Sequence, residues 1–402
     1  MSNTAYKLIK IMRREVLRIA TKPMYLFCMI IAPLLCYVFF ATLMSNGLPT
    51  DLPAGVVDLD NTSTTRNIIR NLDAFQQTKI VAHYTSVAEA RKAVQRGDIY
   101  AFYYIPEGTT EETLASRQPK VSFYANYSYL IAGSLIYRDM RTMSELAGGA
   151  VGRATLYAKG ATEDQAMAFL QPIVIDTHAI NNPWLNYSIY LCNTLFPGVL
   201  MLLIFMTTAY TLGTEIKENT GKELMALADN SIVTALVGKI LPQTLVFFIM
   251  ATFHNIYLYG FMHFPCHGGI LSMILAGLLL VLASQAVGIF FYGLFGSMRL
   301  ALSAASLWGV LSFSISGFTF PVMAMHPTLQ ALSNLFPLRH YFLLYVNQAL
   351  NGYPIIYAWH SVVALMLFLL LPFFVLKKLR LIMETYESVS YTHLRAHETG
   401  AY

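Results

Sequence analysis

Long apolar runs separated by polar stretches dominate the pattern of this chain. The first run, residues 24–44, has no charged side chain for about 20 residues, which is enough for a helix to cross ~30 Å of hydrocarbon. Similar runs resume at Tyr187 after a polar interval. We place these later runs at residues 187–212, 235–261, 270–295, 301–322 and 355–376. The pattern predicts a membrane protein with an all-α transmembrane bundle of six helices.

A basic segment precedes the first run. Residues 1–23 are predicted to form one amphipathic helix, because apolar and basic positions recur at helical spacing before Pro23. The apolar positions are Leu8, Met12, Val16 and Ile19, and the basic positions are Lys7, Lys10, Arg14 and Arg18. Such a helix either lies in the headgroup layer of anionic lipids or serves as a simple anchor beside the span. Both interpretations place it in the cytoplasm.

Residues 45–186 are polar and carry charges of both signs, unlike the runs on either side. Strands are predicted at residues 55–60, 100–106 and 120–126, and helices at residues 65–75 and 87–96. Alternating strands and helices are typical of a compact α/β domain. Residues 128–170 are predicted to continue as a helical stalk. The expected fold is a helical bundle with an α/β domain inserted between its first and second membrane helices.

The distribution of Lys and Arg predicts the orientation of the chain. Basic residues cluster before the first run, after the second run and after the sixth, whereas residues 262–269 have none and residues 323–354 have only Arg339. Short loops rich in Lys and Arg remain in the cytoplasm, and long domains cross largely regardless of charge. We therefore expect both termini in the cytoplasm and residues 45–186 outside the membrane, in the periplasm or the extracellular space.

Composition narrows the possible functions. Only 12% of the residues are charged, against roughly 25% in a soluble domain, and the net charge of +5 calls for no nucleic-acid partner. The middles of the five later runs lack Asp, Glu, Lys and Arg, which argues against an ion-coupled transporter or a membrane-embedded enzyme. No Cys pattern in residues 45–186 predicts a disulfide framework or a metal site. We expect no catalytic site and no bound cofactor in this chain.

The loop between the second and third runs, residues 214–233, interleaves charges of both signs. Its charged positions of interest are Glu215, Lys217, Glu218, Lys222 and Glu223. Thr220-Gly221-Lys222 is not a phosphate-binding loop, because Glu223 stands where Ser or Thr must follow the Lys. If transport is driven by ATP, the ATPase is therefore expected on another polypeptide. The alternative is that these charges only solvate the loop.

Several motifs, in this order, carry a resemblance to a known family. They are VDLDNTS at residues 57–63, GTEIKENTGKELMALADNSI at 213–232, GKILPQ at 238–243, SGFTFP at 316–321 and NLFPL at 334–338. With the basic helix that ends at Lys22-Pro23, they resemble the ABC-2 family of transporter permeases, in the drug-exporter subgroup with a large extracytoplasmic domain. The resemblance covers essentially residues 1–380.

The resemblance implies a permease that pairs with a second permease, as a homodimer or heterodimer, above two ATPase subunits that hold ATP and Mg²⁺. The 214–233 loop would be the coupling element on the ATPase, through the five charged residues named above. Residues 317–350, marked by Gly317, Pro321 and Pro337, would form re-entrant helices at the outer mouth, within the helical region 187–380. Their apolar character agrees, because irregular backbone at membrane depth must be buried in protein.

The expected system is a bacterial inner-membrane multidrug-efflux exporter for a hydrophobic or amphiphilic substrate. In the family, a large outer domain goes with a periplasmic adaptor and an outer-membrane channel. The alternative function is a membrane-anchored extracytoplasmic binding or sensor protein, but no cytoplasmic segment is long enough for an output domain.

Residues 388–402 form an anomalous tail. His393 and His397 with Glu398 suggest a zinc site by their spacing, but a third ligand is missing. The segment reads instead as translated sequencing-adapter sequence, and we expect it to be non-native.

Overall fold

A computed structural model describes residues 3–115, 117–178, 180–183 and 185–385. The predicted tail at 388–402 lies outside the described residues. The chain forms two compact units. Residues 46–179 make one, which we call the α/β unit, and the segments on either side of it together make the other, which we call the helical unit.

The amino-terminal segments of the helical unit are α1 (Asn3–Thr21) and α2 (Pro23–Leu43). Pro23 begins α2 because the first helical position needs no hydrogen-bonded N–H. A wider turn, Phe27–Ile31, interrupts the regular hydrogen bonding of α2.

The unit formed by residues 46–179 is a four-stranded sheet with helices on both faces. In chain order its elements are β1 (Leu52–Asp58), α3 (Ser63–Asp73), β2 (Thr78–His83), α4 (Val87–Arg96), β3 (Ala101–Ile105), α5 (Thr109–Leu114), β4 (Ser122–Ala125), α6 (Leu130–Ala158) and α7 (Glu163–Leu170). The strand order is β2-β1-β3-β4, parallel except for the antiparallel pair β3–β4.

Alternate side chains of the strands form two apolar layers. Val56 and Tyr103 pack with α3 and α6 on one face, and Val57 and Phe102 pack with α4 on the other. The sequence pattern does not predict β2, because its apolar run, residues 80–82, is only three residues long and lies between Lys79 and His83.

The rest of the helical unit begins at residue 180. Its helices are α8 (Tyr187–Lys217), α9 (Gly221–Leu227), α10 (Ile232–Phe261), α11 (Ile270–Phe295), α12 (Met298–Ile315), α13 (Pro327–Ser333), α14 (Pro337–Tyr345), α15 (Ile355–Phe374) and α16 (Leu376–Thr385). Six of the described helices, α2, α8, α10, α11, α12 and α15, are long and apolar enough to span a membrane. The prediction of a membrane protein with six apolar helices is confirmed.

Helices α8 and α11 lie at the centre of the bundle and are its most buried spans. They approach closely at Gly288, where an added Cβ would lie 2.8 Å from Cβ of Thr208 and 3.0 Å from the carbonyl oxygen of Phe205. Membrane helices associate through such small residues, because lipid tails are as apolar as leucine side chains.

The predicted run at residues 301–322 is shorter as a helix, because α12 ends at Ile315. Gly317 adopts a left-handed φ of 105°, and Pro321 opens a short 3₁₀ turn. The chain then forms α13 and α14, and α14 is buried among the spans. Whether this segment is re-entrant from the outer side stays a prediction.

Candidate functional site

The charged loop after α8 is an ordered turn and a short helix rather than a loose connection. Its helix α9 places Leu224 and Met225 in an apolar cluster with Ile382 and Met383 of α16. Gly221 allows this close approach, since an added Cβ would lie 2.8 Å from the carbonyl oxygen of Met383. The loop is therefore held in place by apolar contacts between α9 and α16, within the helical unit.

Glu215, in the last turn of α8, is 0% exposed. Arg14 of α1 binds it through two nitrogens, with Nη1–Oε1 at 3.1 Å and Nη2–Oε2 at 2.9 Å. Arg18, one helical turn later, also donates to Glu215, and so does the Thr220 hydroxyl at 2.5 Å. The carboxylate is thus enclosed by two guanidinium groups and a hydroxyl.

Lys239 of α10 is the third cation on Glu215. Its side chain is 0% exposed, and its ammonium donates to Glu215 at 2.5 Å and to Glu15 of α1 at 2.9 Å. Glu15 also lies 3.1 Å from Arg14. We call Arg14, Glu15, Arg18, Glu215 and Lys239 the buried ion-pair cluster.

A more exposed tier of ion pairs surrounds this cluster. Glu218 accepts from Arg18 at 3.0 Å and from Lys22. The hydrogen bond from Lys22 is the main reason that the pKa of Glu218 lies below its usual value. Farther along the loop, Asp229 accepts from Lys7 at 2.8 Å, and this hydrogen bond likewise lowers the pKa of Asp229.

Helix α1 has partners within the protein for part of its basic face, and whether the helix lies in the headgroup layer stays a prediction. Arg14 and Arg18 are directed at carboxylates of the protein, on the side of α1 where Ile11 and Glu15 pack against α10. The opposite, exposed side carries large apolar residues, namely Tyr6, Ile9, Val16 and Leu17.

The predicted coupling residues divide into two groups. Glu215 is buried in the cluster, so its carboxylate faces α1 and α10 and not a partner surface. Lys217, Glu218, Lys222 and Glu223 are exposed at the same loop. Their role in coupling stays a prediction.

The predicted re-entrant residues Gly317, Pro321 and Pro337 lie at the other end of α12. Met298 begins this helix against Gly213, near the charged loop, and Gly317 follows its end about 27 Å away at 1.5 Å per residue. The structure does not bring these two sets of predicted residues together.

The sequence patterns do not predict the roles of Glu15 and Lys239. Glu15 is the single acid among six basic residues before Pro23, and Lys239 is a single charge near the start of a long apolar run. Isolated charges in such settings need partners, so both were detectable as candidates for burial. Their mutual pairing is not readable, because the two residues are 224 positions apart.

The model of the family described as ABC-2 family transporter protein matches residues 23–376, from α2 to the first residue of α16. The comparison with curated proteins gives no match. The matched range contains all six spans, the charged loop, Glu215 and Lys239. This chain is a multi-pass membrane protein that belongs to the ABC-2 family of transporters, in which it has the role of a transport permease.

Proposed function

We propose that this chain is the membrane-spanning subunit of an ATP-driven exporter, powered by separate ATPase subunits that dock on the 214–233 loop. The single observation that carries this proposal is the match to the ABC-2 family over all six spans and the loop. ATP and Mg²⁺ would be bound by the ATPase, whose closure would push on the loop.

The buried ion-pair cluster supports a specific route for that push. A partner would contact Lys217, Lys222 and Glu223, which are exposed on the turn and on α9. The loop is continuous with α8 and is tied through Glu215 to α1 and α10. A displacement of the loop would thus move three helices together, because their shared charges are costly to separate away from water.

The proposed topology follows from the basic residues at the loop end of the bundle. Both termini and the 214–233 loop would face the cytoplasm, and residues 46–179 would lie in the periplasm or outside the cell. The proposed setting is the inner membrane of a bacterium, with a second permease as partner. A periplasmic adaptor and an outer-membrane channel would engage the α/β unit.

The proposed substrate class is hydrophobic or amphiphilic. The spans are rich in Phe, Tyr and Met, and the interior of the bundle is lined largely by apolar and aromatic side chains. Multidrug efflux is the form of export that this lining favours.

The experiment targets an exposed charge of the loop, Lys217, and leaves the residues of the cluster unchanged. In Lys217→Glu, one exposed charge of the loop is reversed, and we expect stimulation of the ATPase by the permease to be lost. Membrane insertion should be unchanged. The free energy of unfolding should stay within about 0.5 kcal/mol of that of the parent, as for surface substitutions in general. The measurement is ATP hydrolysis by the reconstituted complex.

The matched control is Lys159→Glu, which reverses one exposed charge in the unit formed by residues 46–179. This control should hydrolyse ATP like the parent. Full stimulation in Lys217→Glu would show that the ATPase is driven from another surface, and the docking assignment would then be wrong.

A further inference from the structure

A lateral groove runs along the helical unit between α10, α11 and the residues at the α15–α16 junction. Its floor is the face of α11 that carries Gln285 and Ala286, both buried. One wall is α10 from Val233 to Thr244, and the other is formed from residues 369–376. The cavity is about 300 Å³, at the lower end of the range for ligand pockets.

The lining of the groove is almost entirely aliphatic and aromatic. Its two polar side chains, Thr244 and Gln285, bond to each other at 2.8 Å at the deep end. The α10 wall is partly open toward the lipid side, with Val237 46% exposed. The groove therefore offers an apolar ligand a slot that is entered sideways from the membrane.

The length of the groove matches one leaflet. From Val233 to Thr244, α10 rises about 17 Å at 1.5 Å per residue. Half of a ~30 Å hydrocarbon core is ~15 Å. Val233 lies two residues after the Ser231 cap of α10, so the groove begins at the membrane surface beside the charged loop and ends near mid-membrane.

An extended peptide does not suit this slot, because its backbone N–H and C=O groups would find almost no partners in an aliphatic lining. An alkyl chain has no such groups. A basic residue marks the surface end: Lys377 is exposed at the start of α16 and directly follows Leu376, which lines the groove. An ammonium at this level favours a lipid with a negatively charged headgroup.

We propose that this groove binds one acyl chain of an anionic phospholipid from the adjoining leaflet, with the lipid phosphate at Lys377. The site is distinct from the buried ion-pair cluster and does not depend on the direction of transport. A bound acyl chain would also fill the space between α10 and the α15–α16 junction. The lipid would thereby connect α10, which follows the charged loop, to α15 and α16.

The test uses a phosphatidylglycerol that carries a photoreactive diazirine in its acyl chain. The full-length protein is placed in phosphatidylcholine nanodiscs with a small fraction of this probe, and cross-linked peptides are mapped by mass spectrometry. We expect labels on α10 between Val233 and Leu241 and on α11 between Leu282 and Ile289. A choline lipid with the same diazirine chain should label the same peptides more weakly.

Two variants and one control sharpen the test. Val237→Trp fills the groove from its half-exposed wall and should reduce labelling by both probes. Leu245→Trp adds the same bulk at a 60% exposed position of α10 outside the groove and should leave labelling unchanged. Lys377→Gln should reduce labelling by the phosphatidylglycerol probe about fivefold, to the level seen with the choline lipid. This is the effect expected for the loss of one cation at a membrane surface.

Other outcomes would overturn the proposal. Equal labelling in Val237→Trp and in the parent protein would show that the acyl chain binds outside the groove. Absence of label in the groove, together with a disulfide between two Val237→Cys copies, would assign this face to contact with a second copy of the chain.

Discussion

At the scale of single residues, the buried ion-pair cluster joins three distant parts of the chain around one carboxylate. Glu215 could be predicted as a charged loop residue from its neighbours. Its burial could not, because its partner Arg14 is 201 positions away and only the fold brings them together. The exposure of Lys217 agrees with the local pattern, since an exposed charge needs no distant partner.

Lys239→Met tests the energetic role of the cluster. Removing this ammonium leaves Glu15 and Glu215 buried without one of their cations, so we expect the free energy of unfolding to fall by about 3–5 kcal/mol. Thermal or denaturant unfolding in detergent measures the loss. The exposed Lys217→Met should change it by no more than about 0.5 kcal/mol.

The double variant E15Q/K239M separates charge from shape. It removes one carboxylate together with its cation and leaves Glu215 to Arg14 and Arg18, so part of the lost stability should return. A double variant less stable than Lys239→Met alone would show that packing of the lysine stem, and not its charge, dominates.

At the scale of elements, helices of strong periodicity were predictable and their ends were less so. The spans follow from apolar length alone, which is a local property. The end of α12 depends on the left-handed φ of Gly317, and β2 depends on a position at the edge of its sheet. Neither condition is visible in a hydropathy pattern.

The packing of α1 on α10 rests on a small residue. An added Cβ at Gly238 would lie 2.8 Å from Cγ2 of Ile11, so Gly238→Ala should destabilise the protein by about 1–3 kcal/mol. Ile11→Ala makes room, and the double variant should lose less than the sum of the single losses. Unfolding measurements on the four proteins give the coupling energy.

The control for this cycle is Gly260→Ala on the same span, where the nearest atom to an added Cβ is 3.9 Å away. This substitution should lower the free energy of unfolding only slightly. Strict additivity of Ile11→Ala and Gly238→Ala would show that α1 does not press on α10 at this point.

The link between α1 and the loop should also depend on pH. The hydrogen bond from Lys22, helped by the charges of Lys22 and Arg18 and opposed by partial burial and by Glu215, lowers the pKa of Glu218 in the folded state. A lowered pKa means that the stabilisation is present above the pKa of the unfolded chain and is lost as the pH falls through the folded value. Glu218→Gln should therefore lower the melting temperature at neutral pH and have little effect in acid. A constant difference at every pH would contradict this assignment.

At the scale of the whole molecule, the chain combines two units with separate cores. The hydrophobic clusters of the described residues fall within residues 46–179 or within the flanking helical unit. The change from apolar runs to mixed charge made this division predictable from composition. The location of the α/β unit relative to the membrane remains part of the proposed function.

Replacing residues 46–179 with a short flexible linker tests whether the units are independent. Because each unit buries its own apolar side chains, we expect the shortened protein to insert, to purify as a single species and to unfold near the temperature of the parent helical unit. It should still stimulate the ATPase, since the charged loop and the buried ion-pair cluster are retained. Under the proposed function it should no longer capture a periplasmic adaptor.

Aggregation of the shortened protein, or loss of ATPase stimulation, would mean that the helical unit needs residues 46–179 to reach its working structure. Undiminished capture of the adaptor would remove the α/β unit from that role and leave the six spans and their loops as its contact surface.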